Sequence, residues 1–240
     1  MDKGIGFNRN IKLEWLDAAA AFGAEMDDPA VIRQRLRSII EQDVKSKTNV
    51  RKSIDILLHI WGNNEERGAT LRQAAWQYFQ ASTVLSDRLW LHYGLTMAVF
   101  PFFWQAVTAV GQLSRYEERI TTTAVRERLF AELGELGSIR EAVSRIVFSL
   151  RDWGVLVDAD RGHGYLPQYR MFAASSQDLE RWLLACALTA HPAEQLPFAD
   201  LLHLPALFPF KFTVGVYDLR ERDGFEVQRQ GLGLDMVRAV

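Results

Sequence analysis

Apolar residues recur at helical spacing over much of the chain, and the clearest run lies between residues 138 and 153. Seven of its apolar residues share one face: Ile139, Ala142, Val143, Ile146, Val147, Leu150 and Trp153. This period predicts an amphipathic helix over residues 138–153. Ser138 and Glu141 have the spacing of a capping box at its start, and Gly154 is expected to end it.

The residues around this helix predict a winged helix-turn-helix. A second helix is expected at 123–133, before Gly134, and two short strands at 155–157 and 165–166 enclose the glycine-containing turn 160–164. In this order the helix 138–153 is the candidate recognition helix, and Arg161 and His163 lie at the tip of the wing.

A second helix-turn-helix is predicted near the N-terminus. A first helix is expected at 10–22, ended by Gly23, and Asp28-Pro29 is typical of the start of a second helix. A basic loop at 45–48 then leads into a third helix at 49–61, for which Thr48 is the expected N-cap.

The middle of the chain is strongly apolar. A helix is predicted at 71–85, and residues 89–113 carry no charge, which is long enough to span a membrane. Because His92, Gln105, Gln112 and Pro101 interrupt the run, a buried central helix, or two helices joined at Pro101, fits better than a membrane span.

The C-terminal part is predicted to hold a capped helix at 175–188, a short helix at 198–202, and a hairpin of strands 211–219 and 225–229. The tail 231–240 could add a strand. The fold class is therefore mostly α, a helical bundle with helix-turn-helix and winged-helix units plus a small C-terminal β-hairpin. The expected regions are 1–62, 63–118, 119–170 and 171–240.

Composition changes this picture little. The 240 residues carry a net charge of −2, so any nucleic-acid surface must be local. Cys186 is the only cysteine, which excludes a disulfide within the chain and a metal site built on several cysteines. With no apolar signal-peptide core at the N-terminus, a cytoplasmic location is expected.

Charge is unevenly distributed between the two predicted units. Between residues 33 and 52, two acids, Glu41 and Asp43, face seven bases: Arg33, Arg35, Arg37, Lys45, Lys47, Arg51 and Lys52. Phosphate contacts supply most non-specific affinity for DNA, so this surplus favours a DNA-binding surface. Between residues 119 and 170 eight arginines face seven acids, so the winged helix could contact either DNA or protein.

Catalytic motifs are weak. The five histidines have no metal-ligand spacing, no glycine-rich phosphate loop follows a strand, and no Gly-x-Ser-x-Gly motif occurs. We therefore expect a protein that is not an enzyme and uses no cofactor and no metal.

From residue 45 to residue 158 the layout resembles the BrxA-type accessory protein of bacteriophage-exclusion (BREX) defence islands. The matching pieces are Lys45-Ser46-Lys47-Thr48 before the helix 49–61, the aromatic-rich apolar middle, and the segment 121–156 ending in Leu150-Arg151-Asp152-Trp153-Gly154-Val155-Leu156. The resemblance implies a small helical cytoplasmic protein that binds DNA beside the island's methyltransferase and ATPase.

The leading hypothesis is a non-catalytic accessory protein that binds double-stranded DNA, with other defence-island proteins as further partners and no membrane. Its expected DNA-binding residues are Arg33, Arg37, Lys45, Lys47, Arg51, Lys52, Arg140, Ser144, Arg145 and Arg161. A protein-interaction scaffold and a winged-helix transcription regulator remain alternatives, and the oligomeric state is left open.

Overall fold

The computed structural model describes residues 6–26, 28–62, 68–82, 84–134, 137–160, 164–220, 224–231 and 233–240. Within these ranges the helices are α1 (Leu13–Glu25), α2 (Pro29–Asp43), α3 (Lys47–Trp61), α4 (Ala69–Ala81), α5 (Leu85–Val99), α6 (Pro101–Leu113), α7 (Thr122–Leu133), α8 (Gly137–Asp152), α9 (Gln177–Ala190), α10 (Phe198–Leu202) and α11 (Val216–Arg220). The strands are β1 (Leu156–Asp158), β2 (Tyr165–Pro167), β3 (Phe172–Ala173), β4 (Leu196–Pro197), β5 (Phe210–Lys211), β6 (Phe225–Gln230) and β7 (Leu234–Ala239). The predicted mostly α fold is confirmed.

Helices α1, α2 and α3 pack on one another as an N-terminal three-helix unit. The Asp28 carboxylate accepts a hydrogen bond from the Ala30 amide at 2.8 Å, so Asp28 caps α2 as predicted. The predicted cap of α3 was wrong, because the Ser46 hydroxyl accepts from the amide of Asn49 and the helix begins at Lys47. Lys47 and Thr48 therefore lie in the first turn of α3 rather than in the loop.

The first helix also differs from its prediction. It runs to Glu25 and passes through Gly23, which was expected to end it. A Cβ atom at Gly23 would lie 3.1 Å from the Trp61 carbonyl oxygen, so glycine here allows α1 to approach the end of α3. Gly23 therefore serves packing and not chain reversal.

Helices α5 and α6 form the centre of the molecule. They meet at Pro101 with a bend of 118°, which confirms the prediction of two helices joined there. Helix α5 is buried from Leu89 to its end and contacts α3, α4, α6 and α9. Among the described helices, none is by itself both long enough and apolar enough to cross a membrane, and only the bent α5–α6 pair reaches that length together.

Helices α7 and α8 with strands β1 and β2 form the predicted winged helix-turn-helix. The two strands pair antiparallel, with Leu156 opposite Pro167, and Ile120 adds an antiparallel bridge to Tyr165. Helix α8 begins at Gly137, one residue earlier than predicted, and the Glu141 carboxylate bonds to Arg145 instead of completing a capping box. Its buried face matches the predicted apolar stripe.

The C-terminal region contains one wrong prediction. Residues 211–219 do not form a strand: the strand here is limited to Phe210–Lys211, which pairs parallel with β3, and α11 follows at Val216. The buried Glu180 carboxylate accepts hydrogen bonds from the amides of Thr213 at 2.6 Å and Val214 at 2.9 Å. These amides are therefore not available for hydrogen bonds to a neighbouring strand. The hairpin instead joins β6 to β7, and β4 extends it on the β7 side.

Buried side chains from Phe7 to Val237 form one continuous hydrophobic cluster. The N-terminal unit, the central helices, the winged helix and the C-terminal region therefore share a core. Because they share it, the two helix-turn-helix units are held by the same packing that stabilises the fold.

Candidate nucleic-acid interface

Four exposed cations lie on α2, in the turn after it and in the first turns of α3. Arg37, Lys45, Lys47 and Arg51 are exposed, and none forms an ion pair with a described residue. Lys47 and Arg51 lie in the first turns of α3, where the partial positive charge of the helix N-terminus disfavours cations. That positive end suits an anion, so cations and helix end together favour phosphate.

Ion pairs within the protein neutralise one basic and one acidic residue of the 33–52 stretch. The Arg33 guanidinium lies 2.6 Å from the Asp55 carboxylate, which neutralises one of the predicted DNA-binding residues. The Lys12 ammonium lies 2.8 Å from the Asp43 carboxylate, and this hydrogen bond is the main cause that raises the pKa of Lys12. Because Asp43 is itself paired, Glu41 is the remaining acid of the 33–52 stretch named above.

The exposed face of α8 is nearly neutral. Arg140 is exposed and forms no ion pair with a described residue, whereas the Arg145 guanidinium lies 3.3 Å from Glu141. Arg151 pairs with Asp158 of β1 at 2.7 Å, and Phe148 keeps 42% of its surface exposed in the middle of this face. The face therefore offers an aromatic ring and paired charges instead of a row of free cations.

Ser144 is half-buried in α8, beside the exposed face. Arg161 and His163 lie outside the described residues. Lys45, Lys47 and Arg51 therefore lie at the start of α3 and Arg37 lies on α2, which packs against α3, whereas Arg140, Ser144 and Arg145 lie on α8.

An N-terminal segment, residues 6–12, joins these two surfaces. The Ser149 hydroxyl of α8 accepts a hydrogen bond from the Ile11 amide at 2.8 Å, and the Trp153 indole donates to the Ile11 carbonyl at 2.8 Å. The Asp152 carboxylate accepts from the Leu13 amide at 2.7 Å. These contacts link residues 138 to 142 positions apart, so local sequence patterns did not reveal them.

The same segment borders the N-terminal unit on its other side. Gly6 and Asn8 line a groove together with Lys52 and His59 of α3. Asn10 and Lys12 line a second groove with residues of α8, including Phe148. Helix α3 of the N-terminal helix-turn-helix and α8, the candidate recognition helix, therefore both flank the N-terminal segment.

Behind the α3 surface, a buried polar group connects three helices. The Trp61 indole of α3 donates to Nδ1 of His92, and Nε2 of His92 bonds to the Asp17 carboxylate of α1 at 2.9 Å. Burial lowers the pKa of His92 despite the neighbouring carboxylate. Burial acts to raise the pKa of Asp17, but the hydrogen bond from His92 and the charge of Arg88 outweigh it and lower the pKa.

This Asp–His pair has the composition of two members of a catalytic triad, but it does not have the accessibility that catalysis needs. His92 is fully buried, and both of its ring nitrogens are already bonded to protein groups. A general base must reach a substrate proton, so His92 is placed for packing and not for proton transfer. The Cys186 thiol is also buried, and burial raises its pKa, which disfavours the nucleophilic thiolate.

Within the part of the chain that the structure describes, no group of three His, Cys, Asp or Glu side chains is arranged to hold a metal ion.

No protein-family model matches the chain, and neither a curated protein nor a solved structure matches it. The function is therefore inferred from the geometry and charge of the chain itself.

Proposed function

We propose that this protein is a non-catalytic, cytoplasmic DNA-binding accessory protein, and that its N-terminal helix-turn-helix binds the phosphates of double-stranded DNA. The observation that carries the proposal is the cluster of exposed cations without ion pairs at the α2–α3 turn. Its members are Arg37, Lys45, Lys47 and Arg51. Lys52, which is half-buried and follows Arg51 in α3, extends this cluster, which we call the α3 cationic cluster.

The electrostatics of the cluster support phosphate contact. Cations that are not paired with carboxylates keep their full attraction for an external anion, whereas paired cations must first lose their partner. The cluster stands at the N-terminus of α3, where free amides and the helix dipole also favour negative charge. Contacts of this kind position a protein on DNA without reading sequence.

Charge reversal inside the cluster tests the proposal. We expect Lys45→Glu combined with Lys47→Glu to weaken binding to unrelated duplexes roughly tenfold or more at low salt, because each change removes an attraction and adds a repulsion. Fluorescence anisotropy with a labelled duplex measures this directly. Binding by the double variant at the wild-type affinity would exclude the cluster as the DNA site.

A matched control separates local contacts from net charge. Arg119 and Arg229 are exposed, and neither forms an ion pair with a described residue. Arg119→Glu combined with Arg229→Glu changes the net charge by the same amount, and it should leave DNA affinity within about twofold. An equal loss in both double variants would mean that affinity follows overall charge and not the α3 surface.

For the winged helix we propose a protein-binding role, because its α8 face is nearly neutral and presents Phe148. Aromatic residues with few free charges are typical of the centre of protein interfaces. This assignment predicts that Arg140→Glu combined with Arg145→Glu weakens DNA binding much less than the Lys45/Lys47 double reversal. Equal losses would instead support α8 as a second DNA-reading helix, as in a winged-helix transcription regulator.

The resemblance to BrxA-type proteins leads us to propose a role in a phage-defence island. Under this proposal the partner of the α8 face is another protein of the island. A methyltransferase gene and a large ATPase gene beside this gene would support the assignment. Placement within an unrelated metabolic operon would contradict it and favour transcription regulation.

A further inference from the structure

A cleft in the C-terminal region has the side chains expected of an anion-binding site. It encloses about 420 Å³ and is lined by Arg170, Leu202, His203, Phe210, Lys211 and Phe212. This volume lies within the range of roughly 300–1,000 Å³ that is usual for small-molecule sites. Among the described residues that line it, three are basic or can become cationic, and none is acidic.

The two permanent cations of the cleft are available to a ligand. Neither Arg170 nor Lys211 forms an ion pair with a described residue, and both are exposed. The Arg170 guanidinium lies 5.4 Å from the centroid of the Tyr169 ring, so its aromatic stacking leaves its hydrogen-bond donors for an anion. An arginine and a lysine that line the same cleft favour a phosphate group, which arginine can bind with two parallel hydrogen bonds.

The backbone at Arg170 is a second, independent observation. Its φ angle is +52°, and it is the only described non-glycine residue with a positive φ. This left-handed conformation is costly for a side chain with a Cβ atom, and glycine or asparagine would adopt it more easily. Strain of this kind is often retained where a side chain is needed at a functional site.

The walls of the cleft are held in place before any ligand binds. The Arg170 amide donates to the Phe208 carbonyl at 2.8 Å, and the Arg115 guanidinium donates to the carbonyl of His203. Beyond Phe212, the buried Glu180 carboxylate holds the next two amides. A site that is already ordered loses less conformational entropy on binding.

His203 and Phe212 extend the recognition beyond a simple anion. Nδ1 of His203 lies 2.7 Å from the Ala199 carbonyl oxygen, so Nδ1 carries the proton and Nε2 is left to bond a ligand. Phe212 packs against the Trp90 ring with centroids 5.6 Å apart, but it is only half-buried and lines the cleft, so part of its ring remains accessible to a planar base. Stacking of a base on an aromatic ring is tolerant of base identity.

From this arrangement we propose that the cleft binds a nucleoside 5′-phosphate. Arg170 and Lys211 bind the phosphate, Nε2 of His203 accepts a hydrogen bond from a ribose hydroxyl, and the base stacks on Phe212. The ligand is either a free mononucleotide or the 5′-phosphorylated end of a strand. The proposal does not depend on DNA binding by the α3 cationic cluster, because the two sites share no residue.

Isothermal titration calorimetry with the full chain tests the proposal. The ligands are AMP, GMP, CMP and UMP, and adenosine and inorganic phosphate are titrated as separate probes. We expect at least one mononucleotide to bind more tightly than both adenosine and inorganic phosphate. Adenosine binding as tightly as AMP would exclude the phosphate contact. Inorganic phosphate binding as tightly as every mononucleotide would exclude the base contact, and absence of binding by all four mononucleotides would overturn the site.

Variants locate the binding. Arg170→Gly removes the guanidinium but relieves the left-handed backbone, so the protein should fold with an unchanged or higher melting temperature while mononucleotide binding falls roughly 10- to 100-fold. Lys211→Gln should weaken binding in the same direction. Arg229→Gln, on exposed β6, should leave it unchanged. Unchanged binding by Arg170→Gly would overturn the assignment.

A competition experiment separates the two sources of the ligand. An oligonucleotide with a 5′-phosphate should displace the bound mononucleotide if the cleft takes the end of a strand, whereas the same oligonucleotide without the phosphate should not. If neither oligonucleotide competes while mononucleotides bind, the cleft takes free mononucleotides. Equal competition by both oligonucleotides would contradict recognition of a terminal phosphate.

Discussion

The indole Nε1 atom of Trp61 donates a hydrogen bond to Nδ1 of His92 at 3.0 Å, and this contact fixes the proton of a fully buried histidine on Nε2. That proton is directed to the Asp17 carboxylate, 2.9 Å away. Helices α1, α3 and α5 are therefore connected by one neutral imidazole, behind the helix that carries the proposed DNA contacts. Stability of the N-terminal unit should depend on keeping this ring uncharged.

The first prediction is a loss of stability on mild acidification. Burial lowers the pKa of folded His92 below its ordinary value of 6.5, so below that pH the unfolded chain binds a proton that the folded chain does not. The free energy of unfolding should therefore fall as the pH drops below about 6.5, in addition to later losses when carboxylates such as Asp17 are protonated. Urea titrations between pH 7.5 and 5, at about half-unit steps, measure the slope.

His92→Gln provides the comparison for this slope. Glutamine cannot be protonated in this range, so the variant should be less stable at pH 7.5 but should lose less stability between pH 7.5 and 5 than the wild type. A wild-type slope that is unchanged in His92→Gln would show that other groups cause the pH dependence. Asp17 acts in the same direction at lower pH: its pKa is also lowered, so its stabilisation is complete above the ordinary value of 3.8 and is lost as the pH falls below it.

The second prediction concerns the N-terminal segment. Ser149→Ala removes the acceptor of the buried Ile11 amide, so an unsatisfied donor remains, and the free energy of unfolding should fall by about 1–3 kcal/mol. Ser144→Ala in the same helix removes a half-buried hydroxyl and should change stability by less than about 0.5 kcal/mol. Urea denaturation of the pair gives the difference, and equal effects would mean that the segment is not anchored through Ser149.

The third prediction uses two helical glycines in different environments. A Cβ atom at Gly111 would lie 1.9 Å from the Pro205 carbonyl oxygen, where α6 meets the 3-10 helix Pro205–Leu207, so Gly111→Ala should destabilise by about 1–3 kcal/mol or more. A Cβ atom at Gly137 would meet nothing within 4 Å, so Gly137→Ala at the start of α8 should stabilise by about 0.4–1 kcal/mol. Thermal unfolding of the two variants should move in opposite directions, and a shared direction would contradict the close approach at Pro205.

Features that lie within one helix, strand or turn could be predicted from the sequence. The apolar stripe of α8, the break at Pro101 and the wing strands follow from periodicity, proline geometry and turn residues, and the structure has all three. The α2 cap was readable for the same reason, since Asp28 and Pro29 act on their immediate neighbours. Local chemistry was sufficient wherever the determining groups lie within a few residues.

Features that depend on residues far apart in the chain could not be predicted from the sequence. The strand expected at 211–219 is replaced because Glu180, more than thirty residues earlier, takes the amides of Thr213 and Val214. Gly23 does not end α1 because of its contact with Trp61 in another helix. In the candidate interface, the pairing of Arg33 with Asp55 and of Lys12 with Asp43 changes which cations are available, and no charge count along the chain reveals it.

The salt dependence of DNA binding tests the central claim most directly. If the five side chains of the α3 cationic cluster each neutralise one phosphate, log K against log salt concentration should have a slope of about −4.5. In Lys45→Gln combined with Lys47→Gln the slope should shrink to about −2.7, because two phosphate contacts are lost. Binding too weak to measure at low salt, or the same slope in wild type and double variant, would contradict DNA binding through this cluster.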